Sequence, residues 1–197
     1  VVFVHESGKE VEGQEFGSLE KLTRKGYLVV AVDVRGVGDT TPPHAGEGGC
    51  GPFAQLFDVD TAIAYMAWSM DESLFGMRVR DVIRTLDYTQ SRPDCGTEQG
   101  IRLFGKGAGA LWALYAAALD SRIRSVVAQS GLLSYQSLTQ VDRYEHGADV
   151  FIRDVLNRFD LPQVAGAIAD RELVLVSPTG PMKEPVNLEL VRSTYFW

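Results

Sequence analysis

Residues 99–119 read QGIRLFGKGAGALWALYAAAL, and the order of residue types within them decides the fold. Ile101, Leu103 and Phe104 end a short apolar run of strand character. The glycines at 105, 107 and 109 permit a tight turn and a close approach of strand to helix, and Ala108–Leu119 is composed of strong helix formers. The stretch therefore predicts a strand, a sharp turn and a buried helix.

Working outward, further apolar, β-branched runs predict strands at Val1–His5, Leu28–Val34, Ile101–Phe104, Ser125–Gln129 and Glu172–Ser177. Helical stretches fall between them at Gln14–Lys25, Asp60–Trp68, Gly76–Ser91, Ala108–Leu119 and Asp149–Leu156, the last followed by Pro162–Ala169. Strand and helix in alternation, with near-continuous apolar strands, mark a mostly parallel sheet covered on both faces, a three-layer α/β/α sandwich. Right-handed crossovers then leave few topologies for such a sheet. There is no internal repeat, and Pro42–Pro52, PPHAGEGGCGP, reads as a surface loop.

The chain has 197 residues, 45% of them hydrophobic and 23% charged, which suits one domain, residues 1–197, with a sizeable core. A formal net charge of −7, with no basic run, argues against a nucleic-acid partner and is accounted for by solubility. No apolar stretch approaches the roughly 20 residues that span a bilayer, so no membrane partner is expected, and no secretory pattern opens the chain. The chain starts inside an apolar run, VVFVHE, and ends on STYFW, so it reads as a piece of a longer polypeptide. Cys50 and Cys95 are too few for a metal knuckle, and no metal or cofactor is expected. A Cys50–Cys95 disulfide is one possibility and two free thiols the other.

Strand, sharp turn and helix in this order are the layout of a nucleophile elbow, in which Gly-x-Ser-x-Gly lifts a strained serine above the sheet. Here the central position is Gly107, which offers only a hydrogen. Taken with LVVAVDVRGVGDTTP, AAALDSRIRSVVAQSGLLSY and FDLPQVAGAIADRELVLVSPTG, the GKGAG turn resembles the α/β-hydrolase superfamily, in particular its acetyl xylan esterase-like branch. The resemblance covers nearly the whole chain and implies five visible strands in the order 2-1-3-4-5, the hydrolase core without its outer strands. It implies that Val1–His5 is the strand before the oxyanion loop and that His5-Glu6-Ser7-Gly8 stands at the oxyanion-forming turn, making His5, Glu6, Gly107 and Ala108 candidate binding residues. It also implies departures from the family: Gly107 takes the nucleophile position, the loop Pro178-Thr179-Gly180-Pro181 has no carboxylate where the acid belongs, and the family histidine would lie beyond Trp197.

A positioned serine acting with its histidine accounts for much of a factor of roughly 10⁶ in turnover, and binding with an oxyanion hole alone leaves perhaps 10³ to 10⁴ over water. The resemblance therefore implies a catalytically degenerate domain that binds carbohydrate or another domain of the same polypeptide, or serves structurally. An active carboxylic-ester hydrolase is the alternative. An extracytoplasmic setting is implied by the resemblance alone.

Other hydroxyls are weak candidates for catalysis: Ser130 and Ser177 at strand ends near the carboxyl edge of the sheet, and Ser134 beside Tyr135. Capping and loop hydrogen bonding are the competing role for all of them. His5 serves either as a donor at the oxyanion turn or as a loop anchor, and His44 and His146 lie in polar loops that predict solvation. Asp33 and Arg35 are expected to pair locally, and Trp112 and Tyr115 to pack in the core. Gly105-x-Gly107-x-x-Ala110 also meets a relaxed dinucleotide fingerprint. However, the next strand ends in Gln129 and Ser130, with no acid to hold a ribose.

Overall fold

The computed structural model describes residues 1–42 and 58–195. Strands β1 (Val2–His5), β2 (Val30–Val32), β3 (Ile101–Lys106), β4 (Ile123–Gln129) and β5 (Glu172–Val176) form a parallel sheet in the expected order, β2-β1-β3-β4-β5. The helices are α1 (Ser18–Arg24), α2 (Val59–Ser69), α3 (Leu74–Ser91), α4 (Ala108–Leu119), α5 (Tyr135–Leu138), α6 (Leu161–Gly166) and α7 (Leu188–Tyr195). The fold is an α/β sandwich. Much of the Pro42–Pro52 loop, with His44 and Cys50, lies outside the described residues, and so does any pairing of Cys50 with Cys95.

Alternation along the strands sorts side chains onto two faces. Val2, Val4, Leu103 and Val126 face a core completed by Val79, Val82 and Leu86 of α3, Leu111 and Trp112 of α4, and Leu161 and Val164 of α6. On the opposite face Phe3, Phe104, Val127 and Val174 stand in one row across four strands, and the first two rings meet edge to face at 5.3 Å. Helix α4 is apolar all round, and Ala108–Ala117 is buried throughout. It lies against β3 and β1 because two positions lack a side chain. A Cβ on Gly105 would overlap the Gly109 carbonyl, and one on Gly109 would come within 2.7 Å of the Val4 carbonyl oxygen.

The chain moves from β1 to β2 in one direction across the sheet and from β3 to β4 in the other. Right-handed crossovers then set α1 and α4 on opposite faces, and the loops leaving β1 and β3 diverge. Such a switch point opens a crevice at the carboxyl ends of the strands.

Arg78 of α3 joins the surrounding loops. Its guanidinium is wholly buried, bonds Asp149 at 2.6 Å, the Arg35 carbonyl at 3.1 Å and Asp60, and lies 5.1 Å from the Trp112 ring centroid. Burial pushes the Asp149 carboxyl up to about 6 against the pull of Arg78. This contact also explains a difference from the sequence reading. In place of a helix over Asp149–Leu156, two 3₁₀ turns occur, Ala148–Val150 and Val155–Asn157, the second opening on Asp154 at φ 57°. Asp149 is turned inward to the guanidinium, and Asp154 takes a left-handed conformation that no regular α-helix contains. Strand β2 is shorter than Leu28–Val34, β3 extends two residues further, and α5 and α7 form where no helix was expected.

The loop after β1 is tied to the end of β3 by an ion pair between Glu12 and Lys106, both largely buried, and Glu12 also accepts the Ser18 N–H at 2.8 Å. Burial raises the Glu12 carboxyl, but the bonds from Lys106 and Ser18 outweigh it and hold it at about 2 against an ordinary 4.5. A depressed carboxylate contributes stability that is present above its unfolded value and is lost as pH falls through its folded value. Lys106→Met is therefore expected to cost about 1–2 kcal/mol at pH 7, a difference that closes as pH falls from about 4.5 to about 2. Urea unfolding at both ends of that window checks it, and a gap that persists at the acid end contradicts it.

Candidate functional site

Four strands deliver one residue each to the crevice: Glu6 after β1, Gly107 after β3, Ser130 after β4 and Ser177 after β5. The parallel ladder continues through the first three, with Glu6 N–H bonding the Lys106 carbonyl at 3.2 Å, Gly107 N–H the Gln129 carbonyl at 3.0 Å and Ser130 N–H the Val176 carbonyl at 2.8 Å. Gly107, Ser130 and Ser177 then all turn out of the sheet with positive φ, at 61°, 56° and 45°. At Gly107 the accompanying ψ is −130°, a conformation that strains any residue with a Cβ.

A cavity of about 310 Å³ opens over this row. His146, Lys183 and Thr179 complete its polar side, and Leu111, Leu132 and Pro185 its apolar side. The space beside Gly107 is taken by Glu6, because a Cβ built on the glycine would overlap the Glu6 carboxyl group. One oxygen of that carboxylate accepts the Ala108 N–H at 3.0 Å, and Lys183 Nζ lies 3.6 Å from it. Ala108 is the first residue of α4, so the carboxylate sits where the helix presents unpaired donors and the positive end of its dipole.

Gly180 repeats this relation. A Cβ there would overlap the Glu184 carboxylate, which is held by the Met182 N–H at 2.7 Å. The Pro178–Pro181 turn itself carries no acid, yet a carboxylate three residues further on fills the space beside it.

His5 Nδ1 accepts the Ser7 N–H at 3.0 Å, so the ring proton is on Nε2, and burial holds the imidazole below its ordinary 6.5. His146, expected in solvent, is instead partly buried on the cavity wall. Its Nε2 donates to the Gly180 carbonyl at 3.0 Å, and burial lowers its pKa in the same direction. Both rings are neutral at pH 7. Among the described residues neither Ser130 nor Ser177 hydrogen-bonds to His146. Ser134 lies outside the cavity, where its hydroxyl donates to Asp160, the residue that caps α6.

The expected Asp33–Arg35 pair does not form. Arg35 bonds Asp81 of α3 through Nε at 2.8 Å, while Asp33 takes Lys9 Nζ at 2.6 Å, Lys9 N–H at 2.7 Å and Asp39 N–H at 3.0 Å. The side chains of Asp33 and Arg35 thus brace different neighbours. Asp33 joins the loops after β1 and β2. The sequence reading missed Lys183, Glu184 and the inward place of His146, since all three reach the site through loops distant from it in sequence.

No protein-family model matches the chain. It is 26% identical over 184 residues to "Putative hydrolase YtaP" of Bacillus subtilis (strain 168), an alignment covering 87% of this chain and 56% of that protein. The chain thus spans little more than half the length of this curated relative. Among solved structures it is similar to a "putative acetyl xylan esterase" from Bacteroides fragilis NCTC 9343, with a TM-score of 0.73 and 17% identity over 98% of this chain and 54% of that one. It is also similar to acetyl xylan esterase 1 from Thermoanaerobacterium sp. JW/SL YS485, with a TM-score of 0.54 and 18% identity over 99% of this chain and 73% of that one. These similarities establish an esterase-like fold.

Because Glu6 fills the space beside Gly107, substitutions at the two positions should couple. Gly107→Ser is expected to cost about 1–3 kcal/mol through backbone strain and displacement of Glu6. In the Glu6→Ala background it should cost less, by about 1 kcal/mol. A double-mutant cycle of urea unfolding measures this, and strict additivity contradicts the overlap.

Proposed function

We propose that this chain is a catalytically degenerate acetyl xylan esterase-like domain whose crevice binds saccharide without acyl transfer. The observation that carries this reading is the Glu6 carboxylate on the Ala108 N–H, at a turn whose apex is Gly107. In an active elbow that apex supplies the nucleophile, and the N–H that follows it stabilises the oxyanion. Here glycine supplies no nucleophile, and a resident anion occupies the donor. A developing negative charge in the same place would be repelled by the carboxylate rather than stabilised.

The remaining groups suit binding. The Ser130 and Ser177 hydroxyls have no hydrogen-bond partner among the described residues, so they remain available to a polyhydroxylated ligand. Leu111, Leu132 and Pro185 add apolar surface to the same cavity. A volume of about 310 Å³ is at the lower end of the roughly 300–1,000 Å³ typical of small-molecule sites, which favours one sugar unit over a polymer chain.

An active ester hydrolase is the competing reading, and Ser130 and Ser177 near His146 are what it would have to use. The lack of a Ser–His hydrogen bond weighs against it. Dinucleotide binding is disfavoured because β4 ends in Gln129, followed by Ser130, with no acid to hold a ribose.

Treatment of the full-length protein with a fluorophosphonate probe, followed by intact-mass analysis and p-nitrophenyl acetate turnover, tests the proposal. The expected result is no stoichiometric adduct on this domain and turnover several orders of magnitude below a control esterase, in line with the roughly 10⁶-fold loss that follows removal of a triad. Stoichiometric labelling of Ser130, Ser134 or Ser177 would overturn the degenerate reading.

A further inference from the structure

Resting on the saccharide-binding reading, we propose that the crevice recognises a sugar bearing a carboxylate, a uronic acid, and that Glu6 is an internal stand-in for that group which the ligand displaces. The Glu6 carboxylate is held by two sources of positive potential, the Ala108 N–H at the start of the twelve-residue helix α4 at 3.0 Å and Lys183 Nζ at 3.6 Å. It belongs to a side chain 34% exposed that lines the cavity and is absent from the hydrophobic core, so it can swing away without unpacking that core. Once it leaves, Gly107 presents a bare face, and the Ala108 N–H and Lys183 ammonium both lose the carboxylate that pairs them among the described residues.

A ligand carboxylate has the same shape, charge and acceptor geometry as the group it replaces. The rest of the cavity then distinguishes a uronic acid from a simple fatty or amino acid. Ser130 and Ser177 line the same cavity as Glu6, and their hydroxyls, without a hydrogen-bond partner among the described residues, match the ring hydroxyls of a sugar. Among the described residues Glu184 is a further carboxylate near the cavity, and it is turned toward Gly180 and the Met182 N–H. The cradle is thus arranged for a single anion, and the internal one competes with the external one. A site occupied by its own side chain binds with an affinity reduced by the fraction of time it is open, so removing that side chain raises the affinity.

The test is calorimetric titration of the full-length protein with D-glucuronate and, as its uncharged counterpart, D-glucose. The proteins are wild type, Glu6→Ala, Glu6→Gln and the pair Glu6→Ala with Lys183→Ala, each first checked for native circular dichroism. Glucuronate is expected to bind Glu6→Ala about tenfold or more tightly than wild type. The added Lys183→Ala substitution should reverse most of that gain, and glucose should gain nothing. Glu6→Gln, which keeps the bulk of the side chain and its acceptor, guards against loss of fold and should shift glucuronate in the same direction by less. Equal glucuronate affinity in wild type and both Glu6 variants would overturn the proposal. Glucose binding as tightly as glucuronate in every variant would overturn the carboxylate assignment and leave saccharide binding standing. Binding of neither sugar by any variant would overturn both.

Discussion

Helix α4 reaches the sheet because Gly105 and Gly109 put hydrogen where any side chain would collide with backbone. The remaining architecture of the crevice depends on that contact. With the helix axis drawn against β3 and β1, the connection between β3 and α4 has room for a single residue, Gly107, whose dihedral angles are costly for any residue with a Cβ. The Ala108 N–H is then exposed directly above the end of β1, where Glu6 leaves the sheet. The carboxylate does not find this donor by chance of rotamer alone, since the Glu6 backbone is itself pinned to Lys106 by the continuing ladder.

Electrostatic pairs fix the loops around that centre in a consistent manner. Lys9 draws Asp33 and Asp39 together beneath the loop after β1, Lys106 takes Glu12, and Arg78 gathers Asp60, Asp149 and the Arg35 carbonyl in the interior. Each cation joins segments that are distant in sequence. For the wholly buried Arg78 the desolvation cost is large, and only loss of both Asp60 and Asp149 would leave its charge without a carboxylate partner. None of these paired side chains lines the cavity itself, so they brace the surrounding loops rather than contact a ligand.

Much of this was legible in the sequence. The alternation of apolar runs with helical stretches indicated a mostly parallel sheet, the family resemblance supplied its strand order, and the spacing of Gly105, Gly107 and Gly109 between an apolar run and an alanine-rich helix located the turn. Glu6 could be placed at the turn after β1. Its contact with Ala108 could not, since 102 residues separate the two and no local pattern encodes the meeting. A signal was nonetheless present, because glycine at the apex leaves a volume that some neighbour must fill. His146 was misread as solvated because its own segment is polar, while its partner, the Gly180 carbonyl, comes from the loop after β5. The helix expected at Asp149–Leu156 failed for the related reason that Asp149 serves Arg78, and a tertiary ion pair overrode local propensity.

The Glu6–Ala108 contact is the point on which the functional account turns, and it can be observed without any ligand. The ¹⁵N–¹H resonance of Ala108, followed through an acid titration of the wild-type protein and of Glu6→Gln, reports it directly. If the carboxylate bonds this amide, the Ala108 resonance will move in step with the Glu6 side-chain carboxyl signal in the wild type and will lose that transition in Glu6→Gln. An Ala108 resonance that passes through the Glu6 titration unchanged, or titrates identically in both proteins, would contradict the account.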